Sequence, residues 1–319
     1  MSVIVYQTRI ILNKIGGAFQ LSLRRLIGIT CTLAGLALAG CASPPVVAPP
    51  VAAPPVVVKK PPRLGLALGG GAARGFANVG VIQVLEEAGI RPDLVVGTSA
   101  GSLVAAFYAS GKSGAQLQKV AETMEEAAFT DWTLPLFSRG MLRGEALARY
   151  VTAQVASRTI EDMPMPLGIV ATDLNSGAGV LFRRGDTGMA VRASSAVPSV
   201  FQPVRIAGRD YVDGGLVSPV PVRFAREMGA ELVVAVDISS PPDGNVPDGS
   251  LQILLQTFAI MGKSINSFEL RDAEVVLRPA LGGVKSADFG ARLKSIAAGR
   301  QAMQQALPEL RRLLAAQSL

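Results

Sequence analysis

The sequence predicts a layered α/β domain on a largely parallel sheet. Shortly after residue 60, a brief apolar run, a glycine-rich turn and a helical pattern follow one another, and the same succession then recurs at once. Farther along, apolar runs with the length of buried strands alternate with helical stretches.

The elements can be justified in order. Leu64-Gly65-Leu66-Ala67-Leu68 suits a strand buried on both faces. It feeds the turn Gly69-Gly70-Gly71-Ala72-Ala73-Arg74-Gly75, and a helical pattern runs on through Glu87 to a stop at Gly89. Leu94-Val95-Val96 is a second strand, entering Gly97-Thr98-Ser99-Ala100-Gly101, with another helix through Ala109. Leu167 to Thr172, Glu231 to Ile238 and Val275 to Leu277 read as further strands, and Arg209 to Val212 as a short strand-like piece. Helical patterns cover Gly144 to Ala156, Ser250 to Leu270 and Ala287 to Ala315, and Pro308 is expected to break or kink the last. No internal repeat appears.

The N-terminal sixty residues read as an address rather than as fold. Arg24 and Arg25 precede an apolar run from Leu26 to Ala39, too short to span a bilayer. The run ends in Leu38-Ala39-Gly40-Cys41, which resembles the lipobox of bacterial lipoprotein signal peptides. That resemblance implies removal of residues 1–40, acylation of Cys41 and, because Ala42 is not Asp, an outer-membrane anchor facing the periplasm. Residues 41–62 form a linker dominated by Pro, Ala and Val that favours polyproline II, with a reach of about 60 Å at ~3.1 Å per residue. The folded domain is expected over 63–319. Cys31 would leave with the signal, so Cys41 would have no disulfide partner.

Charge excludes one class of function. The chain carries a formal +7, but its first forty residues hold Arg9, Lys14, Arg24 and Arg25 with no acid, and the rest sets 27 basic against 24 acidic residues. This is no nucleic-acid footprint.

The chemistry centres on Ser99. Gly-x-Ser-x-Gly between a strand and a helix is the spacing of a nucleophile elbow, in which glycines permit the sharp turn and the next helix opens with amides aimed at an oxyanion. The chain has no histidine, so an imidazole base is excluded. No Ser-x-x-Lys spacing occurs, which leaves the carboxylates. Asp213 stands out, since it follows a strand-like piece and precedes Gly214-Gly215, although Asp-Gly-Gly is also an ordinary surface turn. The glycine turn could alternatively mark a dinucleotide site, but Val96 and Gly97 occupy the place of the ribose-binding acid.

In order, Gly70-Gly71-Ala72-Ala73-Arg74-Gly75, Gly97-Thr98-Ser99-Ala100-Gly101 and Asp213-Gly214-Gly215 resemble the patatin-like phospholipases. Val191-Arg192-Ala193-Ser194-Ser195-Ala196-Val197-Pro198 and Leu216-Val217 leading to Pro219 add to the likeness, which covers about Arg63 to Leu314. The resemblance implies a three-layer α/β/α fold and hydrolysis of acyl esters by a Ser-Asp dyad. It makes Ser99 the nucleophile, Asp213 the base, and the amides of the Gly70, Gly71 and Ala72 turn the oxyanion hole, with Ala100 assisting. Ala72 replaces a family glycine, and Asn78 stands where many bacterial members have a histidine outside the dyad.

These readings imply no cofactor and no metal, with membrane lipids as both substrate and anchor. Phospholipase A or lysophospholipase activity leads. A neutral-lipid or short-ester esterase, and a non-catalytic lipid-binding lipoprotein, are the alternatives. Because a free Asp at a pKa of about 3.9 is a weak base, Asp213 is expected to be partly buried or to share a short hydrogen bond with Ser99. Arg74 and Arg192 read either as phosphate cradles or as structural clamps. Arg292, Lys294, Arg300, Arg311 and Arg312 read as a lipid-facing or a solvated face, and Trp132, Leu134, Leu136 and Phe137 as a lid or a core contact.

Overall fold

Five parallel strands form the centre of the sheet: β1 (Leu64–Leu68), β2 (Leu94–Thr98), β4 (Leu167–Asp173), β9 (Leu232–Val236) and β10 (Val275–Leu277). Their order is β10-β9-β1-β2-β4. Three antiparallel strands extend it, β5 (Gly179–Phe182) and β8 (Arg209–Asp213) on β4 and β7 (Val204–Ile206) on β8. β3 (Gly140–Leu142) and β6 (Ser199–Phe201) make a separate parallel pair. These elements come from a computed structural model, which describes residues 61–124, 131, 140–239, 249–285 and 287–318, within a unit spanning Val57–Leu319. The expected signal peptide, Cys41, the expected linker up to residue 60 and the 132–137 segment lie outside the described residues.

The central parallel strands are buried on both faces, and their period of two sorts side chains into two cores. Leu64, Leu66, Leu68, Val95, Ile169 and Val234 join one core with α1 (Phe76–Glu87), α2 (Ala100–Ala109), α3 (Gly114–Thr123) and α8 (Arg292–Ser318). Ala67, Leu94, Val96, Val170 and Val233 join the other with α6 (Val222–Glu227) and with Leu270, just past α7 (Ser250–Glu269). Helices therefore cover both faces of the sheet, the predicted three-layer arrangement. Leu66, Leu68 and Ile82 are among its fully buried side chains, each worth roughly 1.5–3 kcal/mol of transfer free energy.

Several helices differ from expectation. α8 continues through Pro308 instead of ending there. The carbonyl that loses its partner belongs to Gln304, and both residues are exposed, so water can take the bond. Three helices are additional, α3, α5 (Thr187–Ser194) and α6, while α4 (Glu145–Gln154) lies inside its predicted span.

Candidate active site

β4 brings the two halves of the site together. β2 runs parallel to it, with Thr98 opposite Val170, and β8 runs antiparallel to it, with Asp213 opposite Ala171. β5 pairs with Ile169 through Thr172 and so occupies the other edge, which puts β2 and β8 on the same edge with their C-terminal ends meeting. Ser99, the residue after β2, thus arrives beside Asp213, the last residue of β8. This is also the carboxyl end of the parallel strands near the point where the chain order reverses around β1, the usual crevice of open α/β sheets.

The Ser99 hydroxyl donates to Asp213 Oδ2 at 2.6 Å. Its backbone holds φ 52° and ψ −125°, a strained conformation for a residue with a side chain and the geometry of an elbow. The turn closes tightly enough that a Cβ on Gly101 would lie 2.1 Å from the Leu68 carbonyl oxygen. Two neighbouring serines hold this turn. The Ser99 amide donates to Ser194 Oγ at 2.8 Å, and Ser194 Oγ donates to the Val170 carbonyl. On the other side, Thr98 Oγ1 donates to the Ser218 carbonyl at 2.9 Å, and Ser218 Oγ donates to buried Glu269 at 2.6 Å. Burial raises the Glu269 carboxyl, and the Ser218 and Arg223 hydrogen bonds oppose that rise.

Asp213 is buried, with 6 % of its surface exposed. Desolvation pushes its carboxyl up to about 6, against the opposing pull of the Ser99 hydroxyl and the Gly215 amide, which donates to Oδ1 at 2.7 Å. Its own amide donates to Ala196 O and its carbonyl accepts from Thr172 Oγ1. The residue is held at both backbone and side chain, with Oδ2 directed at the Ser99 hydroxyl. Gly214 is required by contact, because a Cβ there would meet the Val170 carbonyl at 2.3 Å.

The glycine turn borders Ser99, and its three amides differ. The Gly70 amide donates to the Pro219 carbonyl at 3.0 Å and is therefore engaged, which corrects the expectation that it lines an oxyanion hole. That bond ties the turn at the carboxyl end of β1 to the segment that follows β8. No backbone acceptor takes the amides of Gly71 or Ala72 among the described residues. Ala72 adopts φ 48°, the left-handed region that a glycine would occupy without strain. Asn78 donates from Nδ2 to the Gly69 carbonyl at 3.4 Å, beneath the same turn.

Next to Ser99 opens an apolar cavity of about 190 Å³. Leu103 and Phe107 of α2, Val120 of α3, Met124, Leu147 of α4 and Phe201 contribute to its wall, and Ala72, Ser99 and Ala100 stand at its polar end. The lining suits an apolar group, with a polar group at Ser99.

The remaining candidates resolve into structure. Arg74 is buried, and desolvation holds its guanidinium below the usual arginine range while nearby Asp237 opposes the shift, an internal position rather than an open cradle. Arg192 clamps the Arg143 carbonyl through Nε and Nη2. Arg292 donates to the carbonyls of Ala121 and Glu122 at the end of α3, Arg300 pairs with Glu87, Arg312 pairs with Glu309 and Lys294 reaches the Gly282 carbonyl. Four of the five C-terminal cations are thus engaged within the domain. No group of three acidic or cysteine side chains that could hold a metal occurs among the described residues.

A three-layer α/β/α fold carrying a seryl elbow against a buried aspartate, with an apolar cavity beside it, defines the class of domain. The family described as patatin-like phospholipase matches residues 66–226, and the chain belongs to it. It is 34 % identical over 218 residues to an uncharacterized NTE family protein of Mycobacterium tuberculosis, covering 68 % of this chain and 60 % of that one. It is 35 % identical over 185 residues to the human patatin-like phospholipase domain-containing protein 6, covering 56 % of this chain and 13 % of that one. The chain therefore spans less than two thirds of these relatives. Among solved structures, VipD from Legionella pneumophila shares the fold with a TM-score of 0.55 at 16 % identity, over 81 % of this chain and 68 % of that one.

Proposed function

We propose that this protein is an acyl-ester lipid hydrolase with Ser99 as nucleophile and Asp213 as its base. The observation that carries the reading is the 2.6 Å Ser99–Asp213 hydrogen bond at the polar end of an apolar cavity. Asp213 Oδ2 takes the hydroxyl proton as Ser99 Oγ adds to the ester carbonyl. The Gly71 and Ala72 amides receive the oxyanion, with Ala100 at the start of α2 beside them. Collapse of the tetrahedral adduct expels the alcohol, which takes the proton from Asp213, and leaves Ser99 acylated. Water then adds with Asp213 again as base, releasing the fatty acid and restoring the hydroxyl. A carboxyl pushed up to about 6 is a far better base near neutral pH than an exposed aspartate.

The acyl chain occupies the cavity walled by Leu103, Phe107 and Met124. Phospholipids or lysophospholipids are the substrate class this reading favours, with no cofactor. The lipobox-like Leu38-Ala39-Gly40-Cys41 supports an acylated, envelope-anchored protein whose membrane is both anchor and substrate.

The test is hydrolysis of phospholipid vesicles and of a soluble p-nitrophenyl ester by wild type, Ser99→Ala and Asp213→Asn. Both variants are expected to lose activity by about 10³-fold or more. A folded wild type no faster than either variant on both substrates would overturn the hydrolase reading.

A further inference from the structure

α7 is built inside out. Its inward line is Gly262, Asn266 and Glu269, small or polar residues at i, i+4 and i+7 that are all buried. Its outward line carries Ile253, Ile260, Met261 and Phe268, which are 54 %, 54 %, 47 % and 64 % exposed. An ordinary surface helix has the reverse arrangement. Between Ser250 and Phe268 Lys263 alone is charged, so nothing acidic interrupts the stripe. Polar anchoring explains how the helix stays in place without burying that stripe. Glu269 accepts from Ser218 Oγ and the Arg223 amide, and Asn266 Nδ2 reaches Asp237 Oδ1 at 3.4 Å.

We infer that the outward face of α7 is a lipid-docking surface that seats the domain on a bilayer containing anionic phospholipid. This rests on, and deepens, the hydrolase reading. Three observations favour a bilayer as the occupant. First, the charges around the stripe are mostly cationic: exposed Lys263 lies on the helix, the Arg271 guanidinium sits 5.0 Å from the Phe268 ring centre, and half-exposed Arg223 lies beside the helix end. An aromatic ring under a guanidinium suits the boundary between acyl chains and anionic headgroups. Second, α7 runs for 20 residues with its large apolar side chains on one side and its buried polar anchors on the other, the layout of a helix lying in the plane of an interface. Third, the helix stands at the same end of the sheet as the site. Glu269, Ser218 and Thr98 link it by two hydrogen bonds to the residue before Ser99. Docking through α7 would bring the Ser99 end of the sheet to the lipid surface.

The test uses the full chain with Cys31→Ser and Cys41→Ser, labelled with an environment-sensitive dye at Ile260→Cys. Glu227→Cys at the opposite end of the sheet, beside the start of β1, serves as the control. Vesicles of phosphatidylcholine with and without phosphatidylglycerol are the probe. We expect a blue shift at position 260 that grows with phosphatidylglycerol, and none at 227. In the otherwise native chain, Ile260→Gln combined with Phe268→Gln should lower the ratio of vesicle-phospholipid to soluble-ester turnover about tenfold. Equal dye responses at 260 and 227 would overturn the inference. So would a shift at 260 that depends on protein concentration without lipid, which would assign the face to a second copy of the chain. No turnover of any ester by the native chain, with the dye shift at 260 intact, would refute the hydrolase reading and leave docking standing.

Discussion

Ser194 accepts the amide proton of Ser99 at 2.8 Å, so a side chain of α5 fixes the backbone on which the candidate nucleophile sits. The same hydroxyl donates to Val170 O on β4, and Ser194 is fully buried. Ser194→Ala leaves an amide and a carbonyl without that partner. We expect a loss of about 1–3 kcal/mol in stability and a fall of about 10- to 100-fold in kcat with a smaller change in KM. Thermal denaturation and steady-state kinetics on a soluble ester check both. An unchanged kcat would show that the elbow holds its geometry without Ser194.

The pH dependence follows from Asp213. Its folded carboxyl, pushed up to about 6, must lose its proton to act as base, so kcat/KM should rise through a limb centred near pH 6. A limb below pH 5 would argue against burial as the tuning device.

The same burial has a stability consequence of opposite sense. Between the ordinary 3.8 and about 6 the folded protein binds more protons at this site than the unfolded chain, so stability falls as pH rises through that window. The cost is complete above about pH 6. Asp213→Asn removes it and should stabilise the domain at pH 7.5 by about 1–3 kcal/mol, with little gain at pH 4. Denaturant titrations at the two pH values measure the difference.

Ala72 holds a left-handed backbone beside Ser99. Ala72→Gly keeps the amide and relieves the strain, offset in part by the freer unfolded chain. A net gain of about 0.5–1 kcal/mol with activity retained is expected, read by melting and ester turnover.

Chain-length preference should respond to the cavity wall. Val120→Phe fills space between α3 and α2 and is expected to lower kcat/KM for long-chain p-nitrophenyl esters about tenfold while sparing the acetate. Equal losses on both would place the acyl chain elsewhere.

Much of this architecture is legible in the sequence, for identifiable reasons. β1 and β10 match their apolar runs residue for residue, because strands buried on both faces are uninterrupted apolar segments bounded by turns. β5, β6 and β7 are three or four residues long and largely half-exposed, so no alternation announces them. Ser99 and Asp213 were visible because their glycine neighbours satisfy contacts that any side chain would violate. Ser194 stands in a segment of family likeness but its role was not legible, and Ser218 and Glu269 were not visible at all, since their work consists of hydrogen bonds between segments distant in sequence. Nor does the run Gly69-Gly70-Gly71 indicate that the Gly70 amide is engaged by Pro219 O.

The meeting of β2 and β8 along one edge of β4 has a developmental meaning. Ser99 and Asp213 are separated by 114 positions, and neither strand touches the other except through the ends that β4 aligns. A chain still emerging, or one in which β4 has not docked, holds a serine and an aspartate but no pair. On the proposed mechanism, the pair that would do the chemistry exists only once the sheet is complete, so the fold itself is the switch.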